Sequence, residues 1–141
     1  MRDRPPPRTR NSETEVLRGF LDYLRASVVA KVEGAPEPQV RTAAVPSGTT
    51  LLGLLHHLTF VERATFLGER VRNWKSTFRT TAPVDEVVAR YRETVGRANE
   101  VLDGRDTQSV RWALVHMIEE TGRHAGHADI LRELIDGTTG R

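Results

Sequence analysis

One stripe on the last predicted helix sets the problem this chain must solve in folding. Trp112, Ala113, His116, Glu120, His124, His127, Leu131 and Leu134 recur at helical spacing, apolar at both ends and ionisable in the middle. A helix gains most of its stability by burying such a stripe against its neighbours. A carboxylate taken out of water must be paired, protonated or bound to a metal. The stripe therefore predicts a polar site inside the fold.

The 141 residues fit one domain, with room to bury roughly two thirds of the unfolded surface. There is no cysteine, which excludes disulfides, thiolate ligands and a cysteine nucleophile. Any thiol chemistry must bring its sulfur from outside. No stretch is long and apolar enough to cross a bilayer, and the N-terminus lacks the apolar core of a signal peptide, so a cytoplasmic protein with no membrane partner is expected.

The pI of about 9.5 is misleading. Arg2, Arg4, Arg8 and Arg10 against Asp3 give the first ten residues +3 of a formal total of +2, leaving −1 for the rest. That distribution is no footprint for nucleic acid. Residues 1–11, with Pro5-Pro6-Pro7, read as a disordered basic tail ahead of a single domain over 12–141.

Four helical segments follow. Ser12 and Glu15 form a capping box for a helix carrying Val16, Leu17, Phe20, Leu21, Leu24, Val28 and Val32 up to Gly34. Ser47-Gly48-Thr49-Thr50 supplies the cap of a second helix, running through Leu51, Leu54, Leu58 and Val61 to about Phe66; its first turns are apolar nearly all round, which predicts deep burial. Residues 67–82 show no period and read as a long loop or a short irregular helix. Pro83 opens a third helix closed by Asp103-Gly104, and a fourth begins at Thr107 to Ser109 and ends at Asp136-Gly137. Nothing alternates with a period of two. The pattern predicts an all-α four-helix bundle, an architecture that builds metal sites between facing helices.

Glu120 and His124 are i and i+4, one turn apart on the same helix face. Two such side chains can share a cation, and the best third ligand is His57, in line with Leu54, Val61 and Ala64 on the second helix. His56 shares a flank with Arg63, nearer solvent. Two imidazole nitrogens and a carboxylate oxygen suit zinc, with nickel, iron and manganese as alternatives, and three protein ligands leave a coordination position open. The bland reading is a solvated Glu-x-x-x-His pair. His127 is expected inward, replacing a ligand, orienting one from behind or hydrogen-bonding in the core; His116 reads as a satisfied core histidine. Glu119, Arg123, Asp129 and Arg132 read as surface or rim ion pairs, with Arg123 also in reach of an anionic substrate group. Trp74 and Trp112 read as core or pocket lining.

Other chemistries fail on residues. A di-iron bundle needs Glu-x-x-His on two helices, but the third residue after Glu120 is Arg123. His-Glu-x-x-His, a phosphate-cradling glycine loop and Gly-x-Ser-x-Gly are all missing.

Two runs carry a family resemblance. Thr50-Leu51-Leu52-Gly53-Leu54-Leu55-His56-His57-Leu58, followed by Val61-Glu62-Arg63, is one; the other starts at Val110-Arg111-Trp112 and continues through His116-Met117-Ile118-Glu119-Glu120-Thr121 and Arg123-His124-Ala125-Gly126-His127 to Gly137. Together they resemble the mycothiol-transferase-like (mini-circle protein-like) branch of the DinB superfamily, over residues 12–140. The resemblance implies a DinB-type four-helix bundle with a long crossover connection, often a homodimer. It also implies a divalent metal held by one histidine of helix two and a Glu-x-x-x-His pair on the last helix, matching His57, Glu120 and His124. Members of known activity use mycothiol, bacillithiol or glutathione. The loops before helices three and four are shorter here than that pattern leads one to expect.

The leading expectation is a metal-dependent transferase using a low-molecular-weight thiol against an electrophilic small molecule. The alternatives are a metal-activated-water hydrolase or isomerase, and a non-catalytic stress or structural protein tied by its metal. A nucleic-acid role would rest on the arginine tail alone.

Overall fold

A computed structural model describes residues 3–9 and 12–140. Four long helices account for most of them: α1 (Glu13–Glu33), α2 (Leu51–Phe66), α3 (Val84–Asp103) and α4 (Thr107–Asp136). Short 3-10 turns interrupt two connections, at Gln39–Arg41 and Lys75–Phe78, and no strand occurs among the described residues. The periodless segment is thus a loop with one irregular turn, as expected. Residues 1, 2, 10 and 11 of the basic tail lie outside the described residues; residues 3–9 have no regular structure, and Tyr23 Oη donates to the Arg4 carbonyl.

The helix boundaries follow local chemistry. Ser12 Oγ accepts from Glu15 N at 3.1 Å, Thr50 Oγ1 from Gly53 N at 2.9 Å, and Asp106 Oδ1 from Ser109 N at 2.9 Å. Each satisfies a first-turn N–H that has no partner within its helix. At the far end of α4, Gly137 takes φ +76°, the left-handed turn that glycine adopts without steric cost.

Cross-helix contacts fix the directions. Arg111 pairs with Glu13 at the starts of α4 and α1, and Arg132 reaches the Lys31 and Gly34 carbonyls at their ends, so these two helices run parallel. Arg18 with Asp103 and Arg92 with Glu33 set α3 antiparallel to α1. α2 is also antiparallel to α1: Val28, Val29 and Val32 cluster with its N-terminal leucines, and Leu21 with Val61 and Phe66. Two consecutive helices running the same way need a long return, and the segment between Phe66 and Val84 is that crossover.

The core is in two parts. Val28, Leu54, Leu58, Tyr91 and Ala128 belong to the larger part, and Leu21, Val61, Leu102, Leu114 and Met117 to the smaller. Between them every helix contributes a buried polar side chain: Arg25 from α1, Glu62 from α2, Thr94 from α3 and Thr121 from α4. Arg25 Nε and Nη2 each donate to Glu62 at 2.7 Å, in the two-pronged geometry that guanidinium and carboxylate share, and Nη1 donates to Asp22 and Asn99. Glu62 is 0% exposed.

The buried seam of α4 is rotated from the expected stripe. It runs through Val110, Leu114, Met117, Thr121, His124, Ala125, Ala128 and Leu131, while Trp112 (75% exposed) and Leu134 face solvent. The seam follows α1, which lies along α4 in parallel. Val16 and Phe20, counted on the apolar face of α1, are exposed as well. Arg132 is no rim residue: it is buried, and its guanidinium holds the last carbonyls of α1 as well as Asp136.

Two substitutions test this account. Glu62→Ala strands the Arg25 charge in the core and is expected to cost about 3–5 kcal/mol in chemical denaturation. Gly96→Ala, at an exposed helix position where an added Cβ meets nothing within 4 Å, should instead stabilise by about 0.5–1 kcal/mol and raise Tm by about 2–4 °C.

Candidate metal centre

His57 reaches the site from the second turn of α2, and Glu120 and His124 from successive turns of α4, which runs antiparallel to it. The three offer ligand atoms all within 4.8 Å of one another, close enough to hold one cation. Glu120 Oε1 is the hub, 3.2 Å from His57 Nε2 and 3.0 Å from His124 Nε2. Both imidazoles are buried; the carboxylate, on the flank of the α4 seam, is partly exposed.

The proton positions follow from the neighbours. Thr77 Oγ1 donates its only proton to the Trp74 carbonyl at 2.6 Å, so at 2.8 Å from His57 Nδ1 it can only accept. His57 thus carries its hydrogen on Nδ1 and turns the Nε2 lone pair toward the Glu120 oxygen. An imidazole lone pair facing a carboxylate at hydrogen-bonding distance repels it unless something positive lies there. A second proton on His57 is one solution, but burial works against it and holds the His57 pKa below the usual imidazole value despite Glu120. A cation is the other.

His124 approaches the same oxygen from one turn further along α4. Its Nδ1 lies 3.3 Å from His127 Nδ1, leaving Nε2 for Glu120, and burial lowers its pKa in spite of that carboxylate. Burial alone would raise the Glu120 pKa, yet His57 and His124 beside it outweigh burial and bring it below the ordinary carboxylate value.

Aromatic walls surround His57: Phe78 stacks on its ring with centroids 3.8 Å apart and planes 12° apart, and Trp74 meets it edge-on at 5.9 Å. Trp74 is not core: it lies 44% exposed against the edge of His57. Nor is Trp112; it stacks on His116 at 4.9 Å on the surface. His116 is accordingly a partly buried surface histidine one turn away from the trio, not a core residue. His127 faces solvent rather than the interior, although it touches His124. Arg123 is exposed, and its charge helps to keep His124 neutral. A cavity of about 270 Å³ between the α1–α2 loop and α4 is lined by Val45, Ser47, Thr49, His127, Ile130 and Leu131.

Thr77 and Phe78 carry no sequence signal of their own. They lie in the periodless crossover, and only its return along α2 brings them to His57.

With this geometry in place, comparison with known proteins adds one finding. The sequence model of a family described as mycothiol-S-transferase matches residues 16–137, taking in all of the trio. Nothing matches among curated proteins or solved structures.

The lowered imidazole pKa values give a pH dependence for the metal-free protein. Below about pH 6.5 the unfolded chain takes up protons at positions 57 and 124 that the folded chain refuses, so stability falls as pH falls. Thermal melts from pH 7 to pH 5 should show a declining Tm. The decline should be shallower in a His57→Asn/His124→Asn double variant; an unchanged slope would contradict the assignment.

Proposed function

Because the chain belongs to the mycothiol-S-transferase family, we propose that it transfers a low-molecular-weight thiol such as mycothiol to a small electrophile, using a divalent cation held by His57, Glu120 and His124. The observation that carries the reading is the pair of buried imidazole nitrogens converging on one carboxylate oxygen, an arrangement that calls for positive charge at its centre. When bound, the cation would supply Lewis acidity, favouring the thiolate over the thiol at neutral pH.

The residues of the chain do the rest. Three ligands leave room for a fourth, and the absence of cysteine means that no thiol of the protein competes for it. Thr77 holds the hydrogen on His57 Nδ1, and the His57 and His124 Nε2 atoms converge on the same Glu120 oxygen. Neutral imidazoles and an ionised Glu120 form a ligand set already in the protonation state that binding needs. Trp74 and Phe78 shield one side from water. The mainly apolar cavity beside His127 is a place for the electrophile. Two nitrogens and one oxygen favour zinc among the divalent cations; nickel, iron and manganese fit the same donors less selectively.

Elemental analysis of the purified protein should find about one divalent cation per chain. Glu120→Gln and His124→Ala should each weaken Co²⁺ binding at least about hundredfold, an effect of several kcal/mol. Adding mycothiol to the Co²⁺-loaded protein should bring up a sulfur-to-cobalt charge-transfer band. Cation content that survives both substitutions would place the site elsewhere. Co²⁺ binding with no spectral response to thiol would leave the trio as an activator of water or a tie between α2 and α4.

A further inference from the structure

We infer that Gly53 and Thr77 are positioning residues for His57, acting through the seat of the crossover on α2; the inference rests on the trio being a cation site. Gly53 lies in the first turn of α2, inside a helix, where glycine is a poor helix former. Its lack of a side chain has a physical reason. A Cβ at this position would lie 2.2 Å from the Phe78 carbonyl oxygen and 3.2 Å from the Phe78 carbonyl carbon. Both are backbone atoms and cannot swing aside. The Thr50 hydroxyl, 2.8 Å from the same point, is a side chain and can rotate.

The close approach at Gly53 is one of three contacts made by one face of α2. Residues 53, 56 and 57 are related by i, i+3 and i+4, so they present a single surface to the turn at Lys75–Phe78. His56 Nδ1 donates to the Thr77 carbonyl at 2.5 Å, which fixes that peptide. Thr77 Oγ1 then accepts from His57 Nδ1 at 2.8 Å, and the Phe78 ring covers the His57 face. Moving the Phe78 backbone outward by an ångström would loosen all three contacts at once. The ring of His57 could then rotate, and its Nε2 would no longer converge with His124 Nε2 on Glu120. Gly53 sets the distance and Thr77 sets the proton, neither touching the cation.

The experiment is Co²⁺ titration, read by affinity and by the visible d–d band, of the full chain and four variants. Thr77→Val should lose about 10–100-fold in affinity, the range for removing the partner that orients a ligating histidine, and Thr77→Ser should recover most of it. Gly53→Ala should lose at least about tenfold and change the band shape, although alanine is the better helix former. Gly96→Ala, a helix glycine with open space around it, should bind as the parent does. If Gly53→Ala does not fold, the Thr77→Val and Thr77→Ser pair decides. A parent that binds Co²⁺ alongside Gly53→Ala and Thr77→Val variants that bind equally well, with the same spectrum, would overturn the positioning role and leave the trio standing. A parent that does not bind Co²⁺ would remove the trio reading and this inference together.

Discussion

Charge buried in a small bundle must be cancelled where it lies, and two polar clusters inside this one meet that constraint differently. Arg25 and Glu62 cancel each other, with every contact short and the guanidinium further held by Asp22 and Asn99. The trio is different. His57 turns a lone pair, not a hydrogen, toward the Glu120 carboxylate, because Thr77 can only accept at its other nitrogen, and His124 Nε2 approaches the same oxygen. One cluster is complete within the protein, while the other calls for positive charge from outside.

Topology joins the two. With α2 and α3 parallel, the chain must travel back along α2 between them, and that return places a 3-10 turn against the helix face that carries His56 and His57. The crossover is therefore a wall of the site as well as a connection. An up-down-up-down bundle with short loops would have left His57 without Thr77 and Phe78. The packing of α4 is a similar compromise: its long parallel contact with α1 sets the buried seam, and Glu120 is left on the flank facing α2, partly open to solvent.

Much of the fold was legible because its signals are local. Ser12, Thr50 and Asp106 cap helices through bonds spanning three residues, and Gly137 ends the last one by a backbone angle. The Glu120–His124 pair was equally legible, since four residues of helix fix its geometry. His57 is legible only through the apolar surroundings of α2, which predict its burial, and through the family resemblance. The rotation of α4 was misjudged. Trp112 and Leu134 are apolar and fall in the expected stripe, but single apolar side chains sit on protein surfaces without penalty enough to turn a helix. His116 and His127 were assigned to the interior by the same error.

What the sequence by itself determined is what a few consecutive residues can settle: four helices and their ends, the i, i+4 spacing of Glu120 and His124, and that any thiol chemistry needs a sulfur from outside a chain without cysteine. The tertiary structure alone decided the rest. Arg25 and Glu62 are 37 residues apart, and His57 and Glu120 are 63 apart. Thr77 acts on a histidine 20 positions earlier, at a distance allowed by the missing side chain of Gly53. No period in a linear chain encodes such meetings, because the rotation of each helix and the path of each loop are set by the surfaces they pack against.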